Sequence, residues 1–135
     1  MRDSLGLKSE DLQLGLNVAS NRLRRGANLE ALRIYLALVL CEPANAEFQV
    51  GLSNCALLLK EHSLALRAAS VVIALEPKNP KGYLLSGRAC IALGHFTEAD
   101  EDLRKAMQFA KEKKESALFQ RAESLLKKLS AISAH

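Results

Sequence analysis

A step of 34 residues runs through this chain and restricts what it can fold into. Pro43 and Pro77 stand 34 apart, and Ala31, Ala65 and Ala99 form a series at the same step. Ala19, Ser53 and Gly87 form another, all of them small. Gly26 and Gly94 lie two steps apart, with Lys60 in the place between. A recurring period of this length marks one supersecondary unit used repeatedly, each copy burying its apolar face only against its neighbours.

Within each unit the pattern predicts two helices. In the third, Asn79-Pro80 is a start signal, because Asn accepts from orphan N–H groups and Pro suits the first turn. Leu84, Leu85, Ala89, Ile91 and Ala92 follow at helical spacing, and Gly94-His95 ends the run. Phe96, Ala99, Leu103, Ala106 and Met107 form the next stripe. The second unit starts near Asn45, breaks at Lys60-Glu61-His62 and stops at Pro77. The first starts near Ser9, turns at Gly26-Ala27-Asn28 and stops at Pro43. The small residues let helix backbones approach closely, and Tyr35, Tyr83, Phe96 and Leu103 are expected to fill the remaining space. After Lys113-Lys114-Glu115, a stripe of Leu118, Ala122, Leu125, Leu129 and Ile132, flanked by Phe119 and Leu126, predicts one more helix.

Composition agrees with an all-helical globular chain. Of 135 residues, 49% are apolar and 25% charged, enough for one domain with a core. Aromatics are only 4% and there is no Trp, so Leu and Ala dominate, which suits helices better than strands. Cys41, Cys55 and Cys90 are odd in number, without a C-x-x-C pair, and read as buried thiols in a reducing compartment. Met1-Arg2-Asp3-Ser4 lacks the apolar segment of a signal peptide, and no apolar run approaches the ~20 residues a membrane helix needs. The expectation is a cytoplasmic protein with no membrane insertion.

The 34-residue pattern resembles the tetratricopeptide repeat (TPR). The third copy carries Tyr83, Ser86-Gly87, Gly94, Phe96, Glu98-Ala99, Leu103 and Ala106 where that family places large, small, turn or alanine residues. The first keeps Val18-Ala19, Gly26, Glu30-Ala31, Tyr35 and Pro43, and the second keeps Leu52-Ser53, Ala65 and Pro77. Departures are Lys60 where glycine is usual, Ala69 where an aromatic or Leu is usual, and Lys111 in place of the third closing proline. The resemblance implies an all-α, right-handed α-solenoid of three helix pairs with a C-terminal capping helix. Its units are a frayed N-terminus (1–8), TPR 1 (9–44), TPR 2 (45–78), TPR 3 (79–112) and the capping helix (113–133), in a single domain.

In this family the first helices of the repeats line a concave face that holds ligands. Carried onto this sequence, that implies apolar ladders of Leu16, Val50 and Leu84 and of Leu23, Leu57 and Ile91. Between them runs a polar ladder of Ser20, Asn54 and Arg88. Gln13, Glu47 and Lys81 lie at one edge, and Arg24, Leu58 and Ala92 at the other. The implied peptide-binding residues are Leu16, Ser20, Leu23, Val50, Asn54, Leu57, Lys81, Leu84, Arg88 and Ile91. Such a floor suits an extended or helical peptide segment with Leu- or Ile-like anchors, with Asn54 and Arg88 able to fix a backbone or carboxylate. Ordinary core packing of these apolar residues, or a groove filled by the C-terminal helix or a second copy, stands as the alternative.

The functional expectation is a protein–protein interaction module, an adaptor or scaffold, with no enzymatic activity, cofactor or metal. The alternative is a dedicated chaperone masking an apolar segment of a client, as short TPR proteins do in type III secretion. A heat-shock co-chaperone is disfavoured. The family's clamp for acidic chaperone tails is Lys, Asn, Asn, Lys and Arg, and the matching places here hold Leu16, Ser20, Gly51, Lys81 and Leu85. Only Lys81 matches. His62, His95 and His135 are scattered, and no catalytic spacing stands out. Glu98, Asp100, Glu101 and Asp102 read as a solvated outer face. Basic groups at Arg22, Arg24 and Arg25 and at Lys111, Lys113, Lys114, Lys127 and Lys128 lack interleaved aromatics, so a net charge of +4 does not argue for nucleic acid.

Overall fold

The computed structural model describes residues 9–133; the expected frayed N-terminus, 1–8, lies outside them. Seven helices follow one another: α1 (Ser9–Arg24), α2 (Asn28–Cys41), α3 (Ala46–Leu58), α4 (His62–Leu75), α5 (Pro80–Leu93), α6 (Phe96–Glu112) and α7 (Ser116–Ser133). No strand occurs among the described residues. Each helix packs on the next. The first helices also touch across the pairs, α1 with α3, α3 with α5 and α5 with α7, while the second helices make no comparable contact with one another. The stack therefore curves, with α1, α3, α5 and α7 on its inner wall. This is an α-solenoid of three helix pairs closed by α7.

The periodic small residues set that geometry. Ala19, Ala31, Ser53, Ala65 and Ala99 are fully buried, and Gly87 is buried with them. In the second and third pairs they meet at the helix crossing. In the second, the Ser53 hydroxyl donates to the Ala65 carbonyl oxygen at 2.8 Å. In the third, a Cβ on Gly87 would lie 2.7 Å from Leu103 Cδ2 and 3.6 Å from the Ala99 carbonyl oxygen. Leucine at any of these places would force the backbones apart.

The turns repeat as closely as the crossings. Asn45 and Asn79 cap α3 and α5, accepting from the backbone N–H of Phe48 at 3.1 Å and of Lys81 at 3.0 Å. Each side-chain amide also donates to the glutamate that ends the preceding helix, Glu42 at 3.2 Å and Glu76 at 2.8 Å. The proline carbonyls between them are satisfied one step apart by different groups. Gln49 Nε2 donates to Pro43 O at 2.9 Å, and the Tyr83 hydroxyl to Pro77 O at 2.7 Å. The third pair has Lys111 where those prolines stand, so nothing blocks the helix and α6 continues to Glu112. Gly26 and Gly94 turn with φ of +79°, and Lys60, in the equivalent place, is held at +62°.

Two buried clusters fill the interior. One joins α1 to α4 and reaches Ala89 of α5, with Tyr35, Phe48 and Leu52 among its members, and the other joins α5, α6 and α7 around Tyr83, Leu103 and Ala122. Three expectations for individual residues need correction. Phe96 is 39% exposed rather than core, because it opens α6 beyond the last turn of α5. Ile132 is exposed at the far end of the α7 stripe. Asp102 is not on the solvated face: it is half-buried between α5 and α6, where its Oδ2 accepts from the Ser86 hydroxyl at 2.6 Å. Glu98 and Glu101 are exposed, and Asp100 pairs with Arg104 at 2.9 Å.

Candidate functional site

Helix periodicity brings every third or fourth residue of α3 and α5 to the inner wall. Val50 and Asn54 of α3 and Lys81, Leu84, Leu85 and Arg88 of α5 share one cavity of about 220 Å³. Five of these are among the expected binding residues: Val50, Asn54, Lys81, Leu84 and Arg88. Helix α7 supplies the remaining wall through Leu118 and Arg121. A second open hollow, about 460 Å³, continues from Arg88 and Arg121 along Ala117, Gln120, Ser124, Leu125 and Lys128. The C-terminal helix thus bounds the groove at one end and extends it.

The other expected residues lie elsewhere on the inner helices. Leu16 belongs to the N-terminal core, at 7% exposure. The Ser20 hydroxyl is engaged with the Tyr35 hydroxyl at 3.3 Å. Burial pushes that phenol above its ordinary pKa, while the bond from Ser20 acts the opposite way. Leu23 and Leu57 are half-buried against the same core, and Ile91 against the C-terminal one. Leu84 lines the cavity with a sliver of surface at 3% exposure, so it supports the groove floor mainly from below.

The cavity has a consistent electrostatic character. Its ionisable lining residues are Lys81, Arg88 and Arg121, all cationic. Among the described residues neither arginine forms an ion pair; the pairs present are Arg22–Glu30 at 3.0 Å and Arg104–Asp100. Burial, and then the nearby charge of Arg121, lower the pKa of Arg88. Asn54 completes the lining as a neutral donor and acceptor.

The sequence places Leu118 only on the apolar stripe of the capping helix and gives Arg121 no part, yet extending the ladders one step finds both in the groove lining. Leu118 follows Leu16, Val50 and Leu84. Arg121 follows Ala19, Ser53 and Gly87. At the first three places a second helix lies close and demands a small side chain. Helix α7 has no such helix over it among the described residues, so the place accepts an arginine that reaches the groove.

Other candidate chemistry does not converge. Cys41, Cys55 and Cys90 are free and buried, and burial pushes the Cys55 thiol up to about 11. No group of three His, Cys, Asp or Glu side chains arranged to hold a metal occurs among the described residues. None of their helices is long and apolar enough to cross a membrane.

No family model matches the chain. A relative, the cellulose synthase operon protein C of Pseudomonas fluorescens (strain SBW25), is 38% identical over 82 residues, which is 61% of this chain and 6% of that protein. This chain therefore corresponds to a small part of that relative. Solved structures match over nearly full length. PcrH in complex with the chaperone binding region of PopD has a TM-score of 0.88 at 22% identity, covering 95% of this chain and 97% of that one. The first TPR of Spaghetti (RPAP3), bound to the HSP90 peptide SRMEEVD, has a TM-score of 0.84 at 20% identity, covering 96% and 98%. Taken with the 34-residue register and the three nested helix pairs, these likenesses establish the fold: three helix pairs and a capping helix, stacked as in the tetratricopeptide-repeat solenoids the chain resembles.

Proposed function

We propose that this protein is an interaction module, an adaptor or scaffold that holds a peptide segment of a partner protein in its inner groove and acts by binding, not catalysis. The observation that carries the reading is the cavity of about 220 Å³ built by α3, α5 and α7 together. It combines an apolar wall of Val50, Leu84, Leu85 and Leu118 with polar groups at Asn54, Lys81, Arg88 and Arg121. Apolar pockets that seat side-chain anchors beside a few polar groups are the usual means of peptide capture. The reading includes a cytoplasmic location, in keeping with three unpaired buried cysteines.

A second reading, a dedicated chaperone for an apolar client segment, is favoured by the near full-length likeness to PcrH, itself solved with the chaperone binding region of PopD. The heat-shock co-chaperone reading has an equally full-length likeness, to the RPAP3 repeat solved with an HSP90 peptide, but lacks the clamp residues. Leu16 and Leu85 are buried, Gly51 is pressed against Tyr35, and Ser20 is bonded to Tyr35, so four of the five clamp positions offer no free cation or amide.

Selection of a displayed random-peptide library on the wild-type protein and on Asn54→Trp tests the groove. The indole would fill the cavity from the half-buried Asn54, over the floor that Leu84 provides. Peptides enriched on wild type and lost on a folded Asn54→Trp variant are expected. Equal enrichment on both would exclude the groove.

A further inference from the structure

Resting on that groove reading, we infer that its C-terminal end is an acceptor for an acidic peptide segment, with Arg88 of α5 and Arg121 of α7 receiving a carboxylate beside the apolar wall. The two hollows that meet at this pair are lined by four cations, Lys81, Arg88, Arg121 and Lys128, and by no carboxylate. Neither guanidinium has an ion pair among the described residues. One of them is half-buried, and the two are close enough to repel. Holding a desolvated cation beside a like charge opposes folding, and a bound anion reverses the sign of that interaction. Guanidinium meets carboxylate through paired, charge-assisted hydrogen bonds, stronger than neutral ones.

The occupant is a peptide rather than a nucleic acid. Val50, Leu84, Leu85 and Leu118 offer aliphatic surface for a Leu- or Ile-like anchor next to the charges. No aromatic ring lines either hollow, so bases have nothing to stack upon. The arrangement also differs from the family's clamp for acidic tails: of those five positions only Lys81 is basic here, and Arg121 comes from the capping helix. The partner segment therefore carries an apolar anchor and, within a turn of it, Asp, Glu or a terminal carboxylate.

Two synthetic peptide pools test this, identical in their Leu anchors and differing only in Glu or Gln at the remaining fixed positions. Each is titrated by fluorescence anisotropy against the full chain, Arg121→Gln, Arg88→Gln with Arg121→Gln, and Asn54→Trp. Arg121 is exposed, so its single variant guards against a folding defect in the double one. The Glu pool should bind wild type about tenfold tighter than the Gln pool, a preference that shrinks as sodium chloride rises. Arg121→Gln should lose part of that preference and the double variant all of it, with the Gln pool unmoved. Equal binding of both pools, insensitive to the arginines but abolished by Asn54→Trp, would overturn the inference and leave the groove reading standing. Binding of neither pool would overturn both. Displacement of the Glu pool by an oligothymidylate at comparable concentration would overturn the assignment to a peptide.

Discussion

The two ends of the inner wall use equivalent positions for opposite purposes. At the N-terminal end, Leu16 is core and Ser20 is bonded to Tyr35, whose ring lies against Gly51 so closely that a Cβ there would overlap it. At the C-terminal end, Val50, Asn54 and Arg88 line open space with Leu118 and Arg121. Leu16 and Val50 are one step apart in the repeat, as are Ser20 and Asn54. The difference is made by neighbours. Tyr35 of α2 swings its ring into the N-terminal half and takes up the polar position there. Position in a repeat decides which wall a residue belongs to, and the side chain across from it decides whether the place is closed or free.

Four substitutions break or sharpen that contrast. Leu84→Ala should be the most damaging, because Leu84 is the point where groove floor and core coincide: a loss of about 3 kcal/mol is expected in urea denaturation. Val50→Ala, one step earlier and half-exposed, should cost under about 1 kcal/mol, the range of a partly solvated methyl loss. Equal losses would mean the two ladder positions are equally buried. Gly51→Ala should cost about 2 kcal/mol by displacing the Tyr35 ring, even after the better helix propensity of alanine is counted. Gly87→Ala, whose Cβ would press on the fully buried Leu103 side chain and not on an aromatic ring, should cost less.

Lys60→Gly should raise stability by about 1 kcal/mol, since the left-handed backbone at φ +62° strains any residue with a Cβ. An unchanged urea midpoint would show that Lys60 is not strained. The smallest effect concerns Asp102, whose carboxyl burial pushes above its usual 3.8 despite the bond from Ser86. From about pH 4 upward the unfolded chain releases that proton before the folded one does, so this group's contribution is present in acid and lost as pH rises through the raised value. Asp102→Asn keeps an acceptor for Ser86 and removes the titration. The stability of wild type minus variant should fall as pH rises from acid toward neutrality; a constant difference would contradict the burial of this carboxyl.

Much of this architecture was legible because packing at a helix crossing tolerates so little. Ala19, Ser53 and Gly87, and Ala31, Ala65 and Ala99, advertise themselves by size alone, and Gly26, Gly94 and the two Asn caps mark the turns. The groove was only half legible. Val50, Asn54, Lys81 and Arg88 follow from the register, but Leu16 and Ser20 do not separate from them in sequence, since their fate depends on the reach of Tyr35 from another helix. Phe96 looked like a core aromatic because its stripe is apolar, yet its place at the first turn of α6 leaves it outside the crossing. Asp102 looked solvated because three acids surround it, and only the opposing Ser86 explains its burial. The sequence raised α7 as a helix that could fill the groove, but not Leu118 and Arg121 as its lining, because a capping helix carries the register without the small-residue rule that made the register visible.

The most direct test follows the backbone amides of the full chain by nuclear magnetic resonance as an acidic, Leu-anchored peptide is titrated in. The largest shifts should fall at Val50, Asn54, Leu85, Arg88, Leu118 and Arg121, with the outer faces of α2 and α4 unmoved. Shifts confined to α2 and α4 would place the binding surface on the opposite side of the solenoid and contradict the account.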